Sequence, residues 1–171
     1  ASIKNLKLFS LIDKKNNFKL LSHKFEGETQ LLEIKYKKSI HKIKLNLIGK
    51  VQLKNVLMAI IASIKSNISI KDIFSVLPKI KSVNGRFEKI GKIKNNSKVI
   101  LDYAHTPDAL RTCIKNLKEQ FSSHKVSLVF GCGGNRDKNK RAKMGKIADL
   151  YSDKIYLTDD NPRLEQASKI R

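Results

Sequence analysis

Cysteine is scarce in this chain of 171 residues, which carries only Cys113 and Cys132. With no CxxC pair and no paired histidine, they support neither a disulfide framework nor a zinc site. A reducing, cytoplasmic compartment is therefore expected. Long hydrophobic runs are missing too. The longest, 56–64, is interrupted by Ser63 and is too short to span a bilayer, so no membrane partner is expected. No secretory signal, internal repeat or low-complexity linker is visible. Acidic residues number 15 against 36 Lys plus Arg, a net charge of +21, and aromatics make up only 6%. Such a charge fits a nucleic-acid module or an anionic surface. The lysines are scattered along the whole chain, however, rather than gathered into a tail or stripe. A general Lys/Ile/Asn bias is the better reading, and no nucleic-acid partner is expected. A P-loop is also lacking: the Gly-Lys pairs at 49–50, 91–92 and 145–146 are each followed by Val or Ile, not Ser or Thr.

What is present is a globular α/β pattern. Apolar residues make up 40%, enough for a packed core. In residues 1–48 the apolar positions suggest four short strands. They lie around Ile3–Ile12, Phe18–Leu21, Leu31–Tyr36 and Ile43–Ile48, the last two joined through the polar 37–42 stretch, with Gly49 closing the series. Residues 51–66 read as a mostly buried helix. Ser69 to Asp72 reads as the cap of a second helix with Ile70, Ile73, Phe74 and Leu77 on its apolar face.

A new unit is expected from Val83, giving two parts, 1–82 and 83–171. Asn84-Gly85 reads as a turn and Lys98–Leu101 as a strand. Thr106 caps a helix with Pro107 at its first position, where a missing N–H costs nothing. Val126–Phe130 is an apolar strand leaving through Gly131-Cys132-Gly133-Gly134. Met144, Ile147, Ala148 and Tyr151 mark another helix, and Ile155–Thr158 the next strand. Residues 98–163 therefore read β-α-β-α-β, which predicts a parallel, right-handed arrangement. The chain opens with Ala1 and stops at Arg171 just after a polar cluster, with no closing element; a segment of a longer protein is expected.

In open parallel sheets ligands bind beyond the carboxyl ends of the strands. Three polar clusters fall at such ends: Asp102-Tyr103-Ala104-His105, Gly131–Arg136, and Asp159-Asp160-Asn161-Pro162-Arg163. The last combines carboxylates, an amide and a guanidinium, a set suited to a zwitterionic, amino-acid-like ligand. Pro162 fixes its own φ and biases Asn161 toward extended backbone. The glycines of 131–134 would let backbone N–H groups approach an anion, with Arg136 just beyond them. Each cluster also has a plain reading. Asp-Asn-Pro is an ordinary turn signal, the glycine loop a solvated turn, His105 a structural hydrogen bonder and Asp102 a strand-end cap. Cys132, with no partner base, reads as a packing residue, and no catalytic residue or metal ligand is assigned.

The stretches VNGRFE (83–88), LDYAHTPDAL (101–110), VFGCGGNRDKNKR (129–141), MGKIADLYSD (144–153) and TDDNPR (158–163) together resemble the Mur ligases, in particular their diaminopimelate-adding branch. GKVQLKNVLMAI (49–60) is a weaker match. The resemblance implies that residues 1–82 close a central ATP-binding domain. Residues 83–171 would open a Rossmann-like C-terminal ligase domain with its β-α-β-α-β part. It also implies an ATP-dependent amide ligase of peptidoglycan precursor synthesis, using ATP and Mg²⁺. Such an enzyme activates the carboxylate of a UDP-MurNAc-dipeptide as an acyl phosphate, which the amine of meso-diaminopimelate attacks. By match to the motifs, Arg136, Asp160, Asn161, Pro162 and Arg163 would bind diaminopimelate. Asn55, Arg86, Asp102 and His105 would belong to the nucleotide site, and the Mg²⁺ ligands are expected upstream.

Asn135 stands where the family usually has Asp, and Ala142-Lys143 where it usually has Pro-Leu; neither position is a predicted ligand. Alternatives are a lysine-adding or polyglutamylating ligase, and a basic nucleic-acid-binding module. The 171 residues alone are expected to be inactive, and the whole protein to be a monomer.

Overall fold

A computed structural model describes residues 18–171. The strand expected around Ile3–Ile12 lies outside the described residues. The chain packs as two units, one ending at Lys89 and the other spanning Ile90–Arg171.

In the first unit, β1 (Phe18–Glu26), β2 (Thr29–Tyr36) and β3 (Ser39–Leu45) form an antiparallel meander in the order β1-β2-β3. The sequence reading stops the first of these at Leu21, but the strand runs on to Glu26. The register slips between Leu20 and Ser22, a bulge that breaks the alternation at that point. β3 likewise begins earlier than the apolar pattern suggests. Lys37 takes a left-handed φ of 54°, so the hairpin closes at once and Tyr36 pairs with Ser39. On β2 the side chains of Gln30, Leu32 and Ile34 point inward, joined by Ile43 and Leu45 of β3.

Helix α1 (Lys50–Lys65) covers this face with Leu53, Val56, Leu57 and Ile60, the spacing of one helical stripe. Each fully buried aliphatic side chain contributes roughly 1.5–3 kcal/mol. Among the described residues, one polar side chain lies in this core. Gln30, fully buried, donates Nε2 to Leu47 O at 2.8 Å and to Gly49 O at 3.1 Å, while its Oε1 lies 2.8 Å from His23 Nε2. It thereby fixes the entry to α1, whose N-cap Gly49 sits at φ 84°. Helix α2 (Ile70–Val76) starts as predicted, with Ser69 Oγ accepting from the Asp72 N–H at 3.1 Å and Ile73 buried.

β4 (Glu88–Lys92), a strand without a sequence signal, runs through the division between the units at Lys89 and Ile90 and pairs with β5 (Lys98–Leu101). Helix α3 (Pro107–Gln120), β6 (Ser127–Phe130), helix α4 (Asn139–Tyr151), β7 (Lys154–Leu157) and the short α5 (Ala167–Ile170) follow. The predicted Thr106 cap and Pro107 start hold, with Thr106 Oγ1 accepting from the Ala109 N–H at 3.3 Å. β6 and β7 are parallel, in register from Ser127↔Lys154 to Phe130↔Leu157. The parallel arrangement expected over 98–163 is found in part: among the described residues β6 pairs with β7, whereas β5 is hydrogen-bonded to β4, its neighbour across a short link, and not to β6.

Leu110 and Ile114 of α3, Met144 of α4 and Cys132 form the local core. Cys132 Sγ lies 3.9 Å from Met144 Sδ, which fits its packing role. Asp153 clasps the start of the parallel pair. It accepts from the Val126 N–H at 2.7 Å and faces Lys118 Nζ at 3.2 Å, and these two contacts, in that order, hold its carboxyl below the usual range. Among the described residues no helix is long and apolar enough to cross a membrane.

Candidate functional site

Two loops leave the carboxyl ends of β6 and β7, and they are locked together. The glycines of the first loop are there for room rather than for unusual φ. A Cβ on Gly131 would lie 2.5 Å from Thr158 O, one on Gly133 2.8 Å from Arg163 Nη1, and one on Gly134 1.8 Å from Pro162 O. Gly134 donates its N–H to Asn161 O at 2.9 Å. The room that a side chain would need here is taken by the neighbouring 158–163 segment. Cationic groups exposed here include the side chains of Arg136 and Arg163.

Arg163 is the centre of the second loop. It sits at φ 51°, a left-handed conformation that costs a non-glycine residue about 1–3 kcal/mol. Polar bonds hold it there. Its N–H donates to Asn161 Oδ1 at 3.1 Å and its Nη1 to Gly134 O at 2.8 Å. Pro162 O accepts from the Glu165 N–H at 3.0 Å, closing the turn. Leu164, at the tip, is 93% exposed, so no apolar burial anchors this turn.

Asn135, also at a left-handed φ of 49°, reaches across to accept from the Leu164 N–H at 3.0 Å. An Asn tolerates that backbone better than most residues. Arg136, Asp160 and Asn161 are exposed beside these contacts. Among the described residues, Arg136 makes no hydrogen bond or ion pair.

Beneath the turn lies a pair that the sequence reading did not single out. Glu165 meets Arg141 of α4 in a two-pronged fork, Nη1 to Oε2 and Nη2 to Oε1, both at 2.9 Å. Glu165 also accepts from the Asn135 N–H at 2.6 Å. The Arg141 guanidinium holds the Glu165 carboxyl down at about 2, with the Asn135 N–H as the next cause. Arg141 Nη2 further donates to Gly133 O at 3.3 Å. The two arginines therefore grip successive carbonyls of the glycine loop, Arg141 at Gly133 and Arg163 at Gly134. A Glu two residues past Arg163 and an Arg at the end of the basic run after the glycines were the available signals.

The third cluster lies after β5. Asp102 is half-buried and His105 exposed. His105 Nδ1 lies 3.1 Å from Tyr103 O, and the two rings are 4.9 Å apart. Lys140 Nζ, at the start of α4, donates to His105 O at 3.0 Å and so ties this turn to the segment following the glycine loop. Behind it, burial first and the Asp102 charge second push the Cys113 thiol up to about 12.

In the first unit Asn55 is exposed on α1, and Gln52, one turn earlier on the same face, donates Nε2 to Arg86 O at 2.9 Å. Arg86 is thus held beside that helix face. An open groove of 610 Å³ in this unit is bounded by Asn46, Pro78, Lys79 and Lys89, and neither Asn55 nor Arg86 lines it. Among the described residues no group of three or more His, Cys, Asp or Glu is placed to hold a metal ion.

The family profile described as Mur ligase, glutamate ligase domain, matches residues 85–171, half of the chain. A UDP-N-acetylmuramoyl-L-alanyl-D-glutamate--2,6-diaminopimelate ligase of Zymomonas mobilis subsp. mobilis is 39% identical over 168 residues. The match covers 98% of this chain and 34% of that protein. The enzyme of the same name from Buchnera aphidicola subsp. Baizongia pistaciae is 45% identical over 124 residues, 72% of this chain and 24% of its own.

A solved structure of a ligase of that name superposes with a TM-score of 0.66 at 28% identity, over 94% of this chain and 32% of its own. Folylpolyglutamate synthetase from Lactobacillus casei, at 19% identity and a TM-score of 0.63 over 91% of this chain and 39% of its own, shares the fold. The chain spans about a third of the length of the first of these relatives.

Proposed function

The chain belongs to the Mur ligase family, and on that premise we propose that it is part of an ATP-dependent amide ligase. The ligase joins meso-2,6-diaminopimelate to UDP-N-acetylmuramoyl-L-alanyl-D-glutamate. Residues 1–82 are then the closing part of the central ATP-binding domain, and 83–171 the opening part of the C-terminal ligase domain, a division supported by the profile match over 85–171. The observation that carries the reading is the locking of the glycine loop onto the 158–165 segment. It leaves Arg136, Asp160, Asn161 and Arg163 exposed around one rigid ledge.

Diaminopimelate bears an ammonium and a carboxylate at the end remote from the attacking amine. Arg163 and Arg136 pair with that carboxylate, Asp160 receives the ammonium and Asn161 supplies amide hydrogen bonds. Pro162 keeps the ledge stiff. Lysine lacks the extra carboxylate and would leave the guanidiniums desolvated and unpaired, so it is rejected.

Asn55 on α1 and Arg86, whose carbonyl accepts from Gln52 of the same helix, are assigned to the nucleotide, as are Asp102 and His105 after β5. A guanidinium, an amide, a carboxylate and an imidazole fit the phosphates, base edge and hydroxyls of ATP. When bound, ATP supplies the phosphoryl group that activates the dipeptide carboxylate, with Mg²⁺ balancing charge. The free thiols Cys113 and Cys132 fit a reducing compartment.

The test is phosphate release by the whole ligase carrying this segment, with the UDP-muramyl dipeptide and either meso-diaminopimelate or L-lysine. A strong preference for diaminopimelate, lost in Arg163→Ala, supports the reading. Equal use of lysine sinks it in favour of a related ligase.

A further inference from the structure

We propose that Arg141 and Glu165 are positioning residues for the amino-acid pocket, holding the 162–165 turn so that Arg163 is presented to its carboxylate. The inference rests on the diaminopimelate reading and adds to it two residues that touch no substrate. Its ground is the way the turn is held. Arg163 is at φ 51° and Leu164 is 93% exposed, so neither backbone preference nor apolar burial keeps the turn where it is. Local bonds to Asn161 and Pro162 close the turn on itself but do not fix it to the rest of the unit.

Besides the Arg163 bond to Gly134 O and the Asn135 N–H on Glu165, two side chains from elsewhere do that: Asn135, through the Leu164 N–H, and Arg141, through the Glu165 carboxylate. Of the two, the Arg141 fork is geometrically the more demanding, because both of its N–H···O bonds must be made at once. It is also sheltered, with side chains only 15% and 19% exposed, whereas Lys138, 3.8 Å from the same carboxylate, is 72% exposed and adds charge without direction. Arg141 springs from α4 and grips Gly133 O, while Arg163 grips Gly134 O. The glycine loop is thus the common floor against which both guanidiniums are set. A small displacement of Glu165 would move the Arg163 fork away from a ligand carboxylate. Misplacement of about 1 Å can lower turnover by roughly a hundredfold.

The experiment uses the whole ligase and reads KM and kcat for each substrate, together with the melting curve, in Glu165→Gln and Arg141→Lys. Each variant is expected to raise KM for diaminopimelate about tenfold or more while KM for ATP and for the UDP-dipeptide stays within about twofold. In an Arg163→Ala background, Glu165→Gln should add little, because both changes disable the same contact. A wild-type KM for diaminopimelate in Glu165→Gln overturns the inference. So does a common rise for all three substrates, or loss of cooperative melting in both variants, since those mark a general structural role. If the unaltered enzyme does not distinguish diaminopimelate from lysine, the functional reading has fallen first. If it does and Arg163→Ala abolishes the preference while Glu165→Gln keeps it, only the positioning role has fallen.

Discussion

Gly134 lies so close to Pro162 that a Cβ on it would sit 1.8 Å from the Pro162 carbonyl oxygen, with its own N–H bonded to Asn161 O at 2.9 Å. Gly134→Ala must therefore part the two loops. The expected result is a destabilisation of about 3 kcal/mol or more by urea denaturation, with loss of diaminopimelate-dependent turnover. Gly145, inside α4, is the internal control. A Cβ there meets nothing within 4 Å, so Gly145→Ala should stabilise by about 0.4–1 kcal/mol. If the two variants behave alike, the loop contact is not what the glycine serves.

The Glu165 carboxyl, held at about 2 by Arg141 and the Asn135 N–H against an ordinary value of 4.5, makes folding sensitive to acid. Its folded-state value is depressed, so its contribution is complete above about 4.5 and is lost as the pH falls through about 2. Thermal melting between those limits should fall more steeply in the wild type than in Glu165→Gln. Parallel curves would show that the pair contributes nothing to stability.

The large features of this architecture could be read from the residues because each has a local cause. The stripe Leu53, Val56, Leu57, Ile60 predicts α1, and the Ser69 and Thr106 caps place the starts of α2 and α3. What escaped has a non-local cause. β4 carries no alternation of apolar residues and exists because β5 pairs with it. Gln30 looks like any polar strand residue until the carbonyls of Leu47 and Gly49 are brought to it.

The same holds for the site. The clusters after β5, β6 and β7 were legible as polar breaks at strand ends. The use made of the glycines was not. What their lack of side chains does is let Pro162 and Asn161 come close, a fact of packing between segments about 30 residues apart. Arg141 and Glu165 were hidden for the same reason, since nothing in the order of residues pairs them.

Cys113 offers a test of the α3 core. Its thiol is pushed up from 9.0 to about 12, by burial above all and then by Asp102. A raised folded-state value means that the thiol stabilises the fold fully below about 9, and that this contribution is lost as the pH rises toward about 12. At pH 8 a thiol reagent should therefore leave Cys113 unmodified until the protein is unfolded by urea, as followed by mass spectrometry. Rapid modification of the native protein would mean that α3 opens readily and that the Asp102 turn is not held as described.

Arg163→Lys separates charge from shape. Both side chains carry one positive charge, but a lysine ammonium is a point donor on a flexible stem and cannot hold Gly134 O while pairing a carboxylate through a fork. If the planar guanidinium is what recognises the ligand, Arg163→Lys should raise KM for diaminopimelate in the whole ligase about ten- to a hundredfold. That corresponds to roughly 1.4–2.7 kcal/mol, with kcat at saturation changed far less. If the positive field alone were responsible, the lysine variant would stay within about twofold of wild type and its defect would deepen with added salt. A KM close to that of Arg163→Ala, insensitive to salt, would assign the recognition to the fork. It would then follow that the unusual backbone at Arg163 is maintained to aim that fork.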